Sequence, residues 1–299
     1  MHISEKLYCV KLVDRSADHD LVPDLVSGIW EDWSSWEDRE GGANMVVLYA
    51  QDAESAAENL QMMARFREEW RELGADLDEP EYFELAKEDW SEVWKKYFHV
   101  IEVAPNLAIK PSWLEYKGSA DCAVVEIDPG MSFGTGQHAT TLFCLETLAA
   151  MAGREGIDRI LDAGCGSGIL AIAAAKLGWK NIDAFDNDPD AVKIAKENID
   201  LNDTSDVINV FEGDATKYDA APKYDLACVN ILGHILVANA ERIISWVRPG
   251  GYIALAGILN SEFDALSGVF CSLGLEEQQR ETLREWTSGL FYRPADTDK

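Results

Sequence analysis

Two hydrophobic periods alternate along the chain from about residue 106 onward. Short apolar runs typical of buried strands alternate with longer stretches in which apolar side chains recur every three or four positions, as in helices. The predicted strands span residues 106–110, 123–127, 159–163, 181–185, 207–211, 225–229, 252–256, 275–280 and 285–292, and the predicted helices span 137–151, 168–177, 189–201, 233–247 and a stretch from 261. From residue 159 this order predicts an α/β fold with a doubly wound, mostly parallel, seven-stranded Rossmann-like sheet. The last two strands have no helix between them, which predicts a closing hairpin with one antiparallel strand.

The first part of the chain has a different pattern, which predicts a small α+β domain over residues 1–86. Alternating runs at 6–13 and 44–50 predict strands, a helical stretch follows up to residue 73, and 82–85 predicts a further short strand. Residues 87–97 have the period of a helix, with Trp90, Trp94 and Tyr97 on one face. We interpret this segment as a linker helix and its aromatic stripe as packing, and we place the second domain at 98–299.

Composition narrows the classes of partner. The net charge of −28 disfavours direct contact with nucleic acid and favours a basic partner, although general solubility would explain it equally well. The six cysteines include no C-x-x-C pair, which argues against a zinc site and a disulfide framework, and no residues have the spacing of metal ligands. No signal-peptide core is visible, and no apolar run approaches the ~20 residues that span a bilayer. We therefore expect a cytoplasmic protein, monomeric and without membrane contact.

A glycine-rich turn at residues 162–168 is the first candidate for a ligand-binding site. The segment RILDAGCGSGILAIAAAKLG predicts a strand, a turn with Gly164, Gly166 and Gly168, and a helix. Glycine lacks a Cβ, so this backbone can turn sharply and approach a ligand closely at the carboxyl end of the strand. Asp162 can accept hydrogen bonds from turn amides, or it can hold an ammonium group of the ligand through water.

Acidic residues at the next two strand ends indicate which ligand the turn binds. Asp186 lies 22 residues after Gly164, where a carboxylate can accept from both hydroxyls of a ribose. Asp188 is an alternative for that role, or the N-cap of the next helix. Asp214 follows the third strand, where an acid can meet an adenine amino group. This set favours S-adenosylmethionine over the alternative, a nicotinamide cofactor, because the glycine spacing is G-x-G-x-G rather than G-x-G-x-x-G.

Three further segments carry a family resemblance. Residues 128–141 (DPGMSFGTGQHATT) resemble the signature that precedes the nucleotide fold in ribosomal protein L11 methyltransferases, and residues 229–232 (VNIL) resemble that family's Ala-Asn-Ile-Leu. The linker tryptophans and residues 111–113 (PSW) are similar to its connector region. The resemblance runs from about residue 87 to the C-terminus, whereas residues 1–86 show little specific identity.

The resemblance implies a domain plan, a substrate and a set of contacts. It implies a substrate-recognition domain, a connector and an S-adenosylmethionine-dependent methyltransferase domain that modifies lysine and N-terminal amines of ribosomal protein L11, a basic protein. The implied cofactor contacts are Thr141, Gly164, Asp186 and Asn230, beside Asp162, Gly166 and Asp214 from the reasoning above. The chain departs from the family pattern at Gln137 and Ala139 and at 233–235 (GHI), which leaves the identity of the acceptor less certain.

Asn230 is the predicted catalytic residue. We expect its side-chain oxygen and nearby carbonyls to orient a neutral acceptor amine toward the methyl group; the alternative is an asparagine that caps the following helix. His138 is either a base or, as we favour, a structural or cofactor-framing residue, and Thr140 and Thr141 are candidates to cap its helix. Two other functions remain: a lysine methyltransferase of a different protein, and a non-catalytic S-adenosylmethionine-binding module.

Overall fold

The chain divides into two compact units, Met1–Tyr97 and Phe98–Lys299. The computed structural model describes residues 6–16, 22, 25–26, 29–30, 33–38, 43–50, 52–72, 74–86, 99–128, 138–219 and 223–295. The predicted linker helix, residues 87–97, lies outside the described residues, as does most of the glycine-rich signature, residues 129–137.

The first unit is an antiparallel sheet with one long helix. Its elements are β1 (Lys6–Asp14), β2 (Trp33–Asp38), β3 (Ala43–Ala50), α1 (Ala53–Glu72) and β4 (Glu81–Ala86). The strand order is β2-β3-β1-β4. Alternate apolar side chains of β1 and β3 pack against one face of α1, because successive side chains of a strand point to opposite faces. The buried residues of this core include Val10, Leu12, Val46, Leu48, Met63 and Trp70.

The sequence pattern missed β2. Its residues, Trp33-Ser34-Ser35-Trp36, do not alternate between apolar and polar, so no period of two is visible. The strand exists because its backbone pairs with β3, with Trp33 opposite Leu48 and Trp36 opposite Met45.

The second unit contains the alternating elements. Its strands are β5 (Ile101–Ala104), β6 (Leu107–Lys110), β7 (Ala123–Glu126), β8 (Arg159–Ala163), β9 (Asn181–Asp186), β10 (Ile208–Glu212), β11 (Tyr224–Asn230), β12 (Val247–Leu259), β13 (Glu276–Leu283) and β14 (Trp286–Tyr292). Its helices are α2 (Ala139–Met151), α3 (Ile169–Lys176), α4 (Pro189–Leu201), α5 (Gly233–Ala238), α6 (Ala240–Trp246) and α7 (Asn260–Ser272).

Seven of these strands form one sheet in the order β10-β9-β8-β11-β12-β14-β13. Neighbours from β10 to β12 pair in parallel, and β14 is antiparallel to both β12 and β13. The prediction of a doubly wound, mostly parallel sheet with a closing hairpin and one antiparallel strand is confirmed. The chain runs outward from β8 to β10 and then returns to β11 on the other side of β8. The carboxyl ends of β8 and β11 therefore face a crevice of the kind in which open α/β sheets bind ligands.

Both faces of the sheet are covered, which explains why its central strands are largely apolar. One buried cluster contains side chains of α2, α3 and α4, and the other contains side chains of α6 and α7 with Phe185 and Trp246. Strands that are buried on both faces read as continuous apolar runs rather than as alternating ones. None of the helices in the described residues combines the length and apolarity needed to cross a bilayer.

One predicted helix, 233–247, is two helices. The break falls at Asn239, whose backbone has φ −121° and ψ 21°. Its side-chain amide donates to the carbonyl oxygen of Ile235 at 2.9 Å, a bond from residue i to i−4 that competes with regular helix geometry. The period of the apolar residues continues across the break, so the sequence predicted one helix.

A small sheet of β5, β6 and β7 packs beside α3 and leads into the signature segment. Asn202, which is 2% exposed, fastens this sheet to the end of α4. Its Oδ1 accepts from the backbone N–H of Glu126 at 2.8 Å, and its Nδ2 donates to the carbonyl oxygens of Glu126 at 2.7 Å and Asn198 at 2.8 Å. Asp128, two residues after Glu126, accepts hydrogen bonds from the backbone N–H and the hydroxyl of Ser112 at 2.7 and 2.8 Å. The chain therefore enters residues 129–137 from a fixed position.

We expect Asn202→Ala to lower the free energy of unfolding by about 2–3 kcal/mol, because it leaves partly buried N–H and C=O groups of β7 without their partner. Urea unfolding followed by circular dichroism measures the change.

Asn209→Ala is the matched control, since the exposed Asn209 amide donates to the Asp183 carboxylate at 2.9 Å and holds no buried backbone group among the described residues. It should change stability by no more than about 0.5 kcal/mol. Equal effects of the two substitutions would show that the Asn202 bonds do not hold β7.

Candidate active site

The glycine turn after β8 lies directly against the end of β11. The backbone N–H groups of Gly164 and Cys165 both donate to the carbonyl oxygen of Phe185 at 2.9 Å, which turns the chain across the end of β9. Gly164 has φ +76°, and a Cβ there would lie 2.5 Å from Cγ2 of Ile231 and 3.6 Å from the carbonyl oxygen of Asn230. Only glycine fits this position, because both the φ angle and the space exclude a side chain.

The other end of the turn is fixed to α4. Gly168, with φ +80°, is the N-cap of α3, and a Cβ on it would lie 3.2 Å from Cβ of Ala195. The side-chain amide of Asn198 donates to the carbonyl oxygen of Ser167 at 2.8 Å. The turn is thus held open toward the carboxyl edge of the sheet by contacts on both sides.

Asp162 is a buried carboxyl with one uncommitted oxygen. The residue is 1% exposed, and its Oδ2 accepts from the N–H of Ala171 in α3 at 3.1 Å. Its Oδ1 has no hydrogen-bond partner among the residues that the structure describes. Burial raises the pKa of Asp162 to about 7, the Ala171 N–H opposes that shift, and the nearby Asp186 adds to it. A cation or donor that reached this oxygen would meet an acceptor that the protein itself leaves unsatisfied.

Asp186, at the end of β9, ties the turn to the next loop. Its Oδ2 accepts from the N–H of Gly166 at 2.8 Å, and its Oδ1 accepts from the N–H of Asp188 at 3.0 Å. Asp188 accepts in turn from the N–H of Asp190 at 2.9 Å and is the N-cap of α4, with Pro189 in the first turn. Of the two roles considered for Asp188, the structure shows the capping role.

Asp214 is engaged in the turn that follows β10. Its Oδ1 accepts from the N–H and the hydroxyl of Thr216 at 2.8 and 2.7 Å, and its Oδ2 pairs with Nζ of Lys217 at 2.9 Å. These bonds, led by that of Lys217, lower the pKa of Asp214 to about 2. A contact with an adenine amino group would have to be made beside these bonds, and it stays a prediction.

Asn230 is the last residue of β11 and lies opposite Ala256 of β12. Its Oδ1 lies 3.3 Å from the point that a Cβ on Gly257 would occupy, and that Cβ would also lie 2.5 Å from the carbonyl oxygen of Ile231. The N-cap of α5 is Leu232, and no side chain caps that helix. Asn230 therefore does not have the capping role that was its structural alternative.

His138 and Thr141 lie at the start of α2. The N-cap is His138, whose Nδ1 accepts from the N–H of Thr140 at 3.4 Å and lies 2.7 Å from the Thr140 hydroxyl. The prediction that Thr140 or Thr141 caps this helix is wrong, because the histidine ring already binds the free amide of the first turn. Thr141 is 2% exposed and its N–H donates to the His138 carbonyl at 3.0 Å.

The ring of His138 also meets Trp286, the first residue of β14, with centroids 5.2 Å apart and planes at 63°. Burial lowers the pKa of His138, with Glu285 raising it and Arg284 lowering it further. Because Nδ1 accepts the N–H of Thr140, the proton of the neutral ring lies on Nε2, and neither nitrogen has a free lone pair for a base; this supports the structural or framing role.

Six of the seven predicted site residues lie at or just after the carboxyl ends of four adjacent strands, β10, β9, β8 and β11, and Thr141 lies at the start of α2. Sequence reasoning missed Gly257 and Trp286. A glycine inside a strand pattern is a signal of close backbone approach, and Gly257 at φ +83° could have been found in that way. Trp286 gave no signal, because its partner His138 is distant in sequence.

Comparison with known proteins agrees with this arrangement. The model of the ribosomal protein L11 methyltransferase family matches residues 23–293. A ribosomal protein L11 methyltransferase of Chloroflexus aurantiacus is 36% identical over 233 residues, with 70% of each chain covered. Its counterpart in Geotalea uraniireducens is 39% identical over 213 residues, which cover 68% of this chain and 67% of the relative.

A solved structure supports the same assignment. The crystal structure of a ribosomal protein L11 methylase from Lactobacillus delbrueckii subsp. bulgaricus matches with a TM-score of 0.58 and 28% identity, covering 66% of this chain and all of that one. The crevice at the carboxyl ends of β8 and β11 and the glycine turn beside it agree with these matches. The chain belongs to the ribosomal protein L11 methyltransferase family.

Proposed function

We propose that the protein transfers a methyl group from S-adenosylmethionine to lysine and N-terminal amines of ribosomal protein L11. The observation that carries this proposal is the contact between the glycine turn and the end of β11, because it brings a candidate cofactor cradle and Asn230 to one crevice. The names of the relatives support the choice of acceptor. The strongly acidic chain is suited to a basic protein acceptor.

The residues present fit the cofactor. Asp162 offers a buried oxygen that has no hydrogen-bond partner among the described residues and is suited to the ammonium group. Gly164 and Gly166 provide the close backbone approach, and Asp186 has acceptor capacity for ribose hydroxyls beyond its two backbone bonds. We assign Thr141 and Asp214 to the edges of the same site. S-adenosylmethionine, when bound, supplies a methyl group on a positively charged sulfur that is open to displacement.

The protein's contribution to the reaction is alignment and exclusion of water. A lysine amine has an ordinary pKa of about 10.4 and must lose its proton before it can attack. The apolar side chain of Ile231 and the buried turn beneath it disfavour the charged form of the amine, so no dedicated base is needed. The Asn230 side-chain oxygen and neighbouring carbonyls accept hydrogen bonds from the N–H groups of the neutral amine and direct its lone pair toward the methyl group. Most of the rate advantage of such a reaction comes from this positioning.

We further propose that residues 1–86 recognise the acceptor, that 87–97 connect them to the catalytic domain 98–299, and that the protein acts as a cytoplasmic monomer. Methylation of a different protein is the second candidate, and the segment 233–235, where the sequence departs from the family pattern, is the observation that favours it. A non-catalytic cofactor-binding module is disfavoured by Asn230 itself, since its amide does not cap α5 and lies at the crevice.

Asn230→Ala should lower methyl transfer to purified L11 by at least about 100-fold, because the amine loses its alignment. The affinity for S-adenosylmethionine should fall far less, since Asp162, Asp186 and the glycine turn remain. Transfer of a labelled methyl group and calorimetric titration of the cofactor measure the two quantities.

Asn209→Ala is again the matched control, because it removes an exposed asparagine of β10, the edge strand separated from β11 by β9 and β8, and should leave transfer unchanged. Transfer by Asn230→Ala within about threefold of wild type would contradict the catalytic role. Absence of transfer by the wild-type protein would contradict L11 as acceptor.

Cofactor affinity should depend on pH through Asp162. Its pKa of about 7 means that the carboxyl is protonated at pH 6 and ionised at pH 8, and only the ionised form attracts an ammonium group. We expect the dissociation constant to fall about tenfold from pH 6 to pH 8. Asp162→Asn should bind more weakly and lose this part of the pH dependence; an unchanged profile in Asp162→Asn would contradict the assignment.

The raised pKa of Asp162 also makes the stability of the protein depend on pH. A rising pH is unfavourable for stability, whereas it favours cofactor binding. The folded-state pKa lies above the ordinary value of about 4, so the folded protein holds a proton that the unfolded chain releases. In the absence of cofactor, the contribution of Asp162 to stability therefore declines as the pH rises from about 4 through 7.

A further inference from the structure

Two exposed leucines lie beside the crevice, close to Asn230. Leu232, two residues after Asn230, is 57% exposed, the largest exposed fraction among the large apolar side chains of the described residues, and Leu259 is 40% exposed. Leu232 follows β11 and Leu259 ends β12, the adjacent parallel strand. Both leucines therefore lie at the carboxyl edge of the sheet, beside the proposed catalytic residue.

Both leucines occupy positions where apolar side chains are unfavourable. Leu232 is the N-cap of α5 and Leu259 is the N-cap of α7, and neither helix has a side-chain cap. Serine, threonine, aspartate and asparagine are strongly preferred at this position, because their oxygens bind the free amides of the first turn. Here two neighbouring helices begin with a leucine that is open to solvent, so neither capping nor core packing explains them.

Carboxylates border the same surface. Oε2 of Glu262, in the first turn of α7, lies 3.0 Å from the point that a Cβ on Gly233 would occupy, directly beside Leu232. On the other side, the backbone of Leu259 lies opposite Trp286 of β14, and the indole N–H of Trp286 donates to Oε1 of Glu285 at 2.8 Å. We name these five residues, Leu232, Leu259, Glu262, Glu285 and Trp286, the acceptor rim.

We propose that the acceptor rim is the docking surface for the segment of the acceptor protein that flanks the modified amine. The segment is basic and carries an apolar side chain next to the reacting residue: the leucines bury the apolar group, and Glu262 and Glu285 attract the flanking positive charges. This inference rests on the proposed function. It assigns to the rim a role in acceptor affinity and not in the transfer step.

The charge pattern selects this occupant over a second copy of the chain. At a net charge of −28 two copies repel each other, and the two carboxylates of the rim, which are part of that charge, would face each other across such an interface. A basic segment gains from the same charges, and the exposed position of both carboxylates makes that gain dependent on salt.

The test compares Leu232→Ser and Leu259→Ser with Leu201→Ser and Leu273→Ser in the full-length protein. Leu201 and Leu273 are 45% and 38% exposed and lie at the ends of α4 and α7. Because these helices start at the carboxyl edge of the sheet, their ends lie at the opposite edge. Methylation of purified L11 at varied concentration gives KM and kcat, and titration of S-adenosylmethionine gives cofactor affinity.

We expect KM for L11 to rise about tenfold in Leu232→Ser and severalfold in Leu259→Ser, with kcat and cofactor affinity within about twofold of wild type. Both control variants should keep the wild-type KM. Glu262→Gln should raise KM at low salt and flatten its salt dependence, whereas Glu276→Gln, on β13 at the opposite edge, should not.

A KM for Leu232→Ser that matches that of Leu201→Ser would overturn the docking proposal while leaving the proposed function intact. A wild-type protein that binds the cofactor but does not methylate L11 would contradict the proposed function, and the rim with it. Concentration-dependent dimerisation in light scattering that Leu232→Ser abolishes would show that the rim binds a second copy, which also overturns the proposal.

Discussion

The site depends on one steric constraint, the contact of the Gly164 backbone with Asn230 and Ile231. This contact joins two strand ends that are neighbours in the sheet but 66 residues apart in the chain. Because Gly164 has no side chain, the turn after β8 can lie directly on the end of β11. The cofactor cradle and the acceptor-orienting amide then face the same crevice. A Cβ at this point would separate the two halves of the proposed reaction.

Several groups around that contact have arrangements that are unfavourable for the stability of the fold. Asp162 has a buried oxygen with no hydrogen-bond partner in the described part of the chain, and Asp186 lies near enough to raise the pKa of Asp162 further. Leu232 and Leu259 occupy helix starts where a polar residue would stabilise the chain more. Binding sites commonly retain such unfavourable features, and the rest of the structure offsets them. Here the apolar clusters on both faces of the sheet supply that support.

The sequence predicted the features that are set by local pattern. The strand–helix alternation from residue 159 determines the parallel sheet, and the glycines with Asp186 identify the turn, because both leave a signal within a short window. Features set by contacts distant in sequence, or by one side chain within an otherwise regular pattern, were missed or misread. Pairing with β3 makes a strand of Trp33–Asp38, the Asn239 side chain divides a helix, and His138 takes the N-cap of α2 that was expected of a threonine. Trp286 joins the site only because β14 begins at the carboxyl edge, opposite the end of β12.

The central claim is that this protein methylates amines of ribosomal protein L11. The most direct measurement is the intact mass of L11 purified from cells that lack this gene, beside L11 from unmodified cells and from cells complemented with wild type or with Asn230→Ala. We expect L11 to lose mass in steps of one methyl group in the deletion strain, to regain it with the wild-type gene and not to regain it with Asn230→Ala. Identical L11 masses in the deletion and the unmodified cells would contradict the central claim.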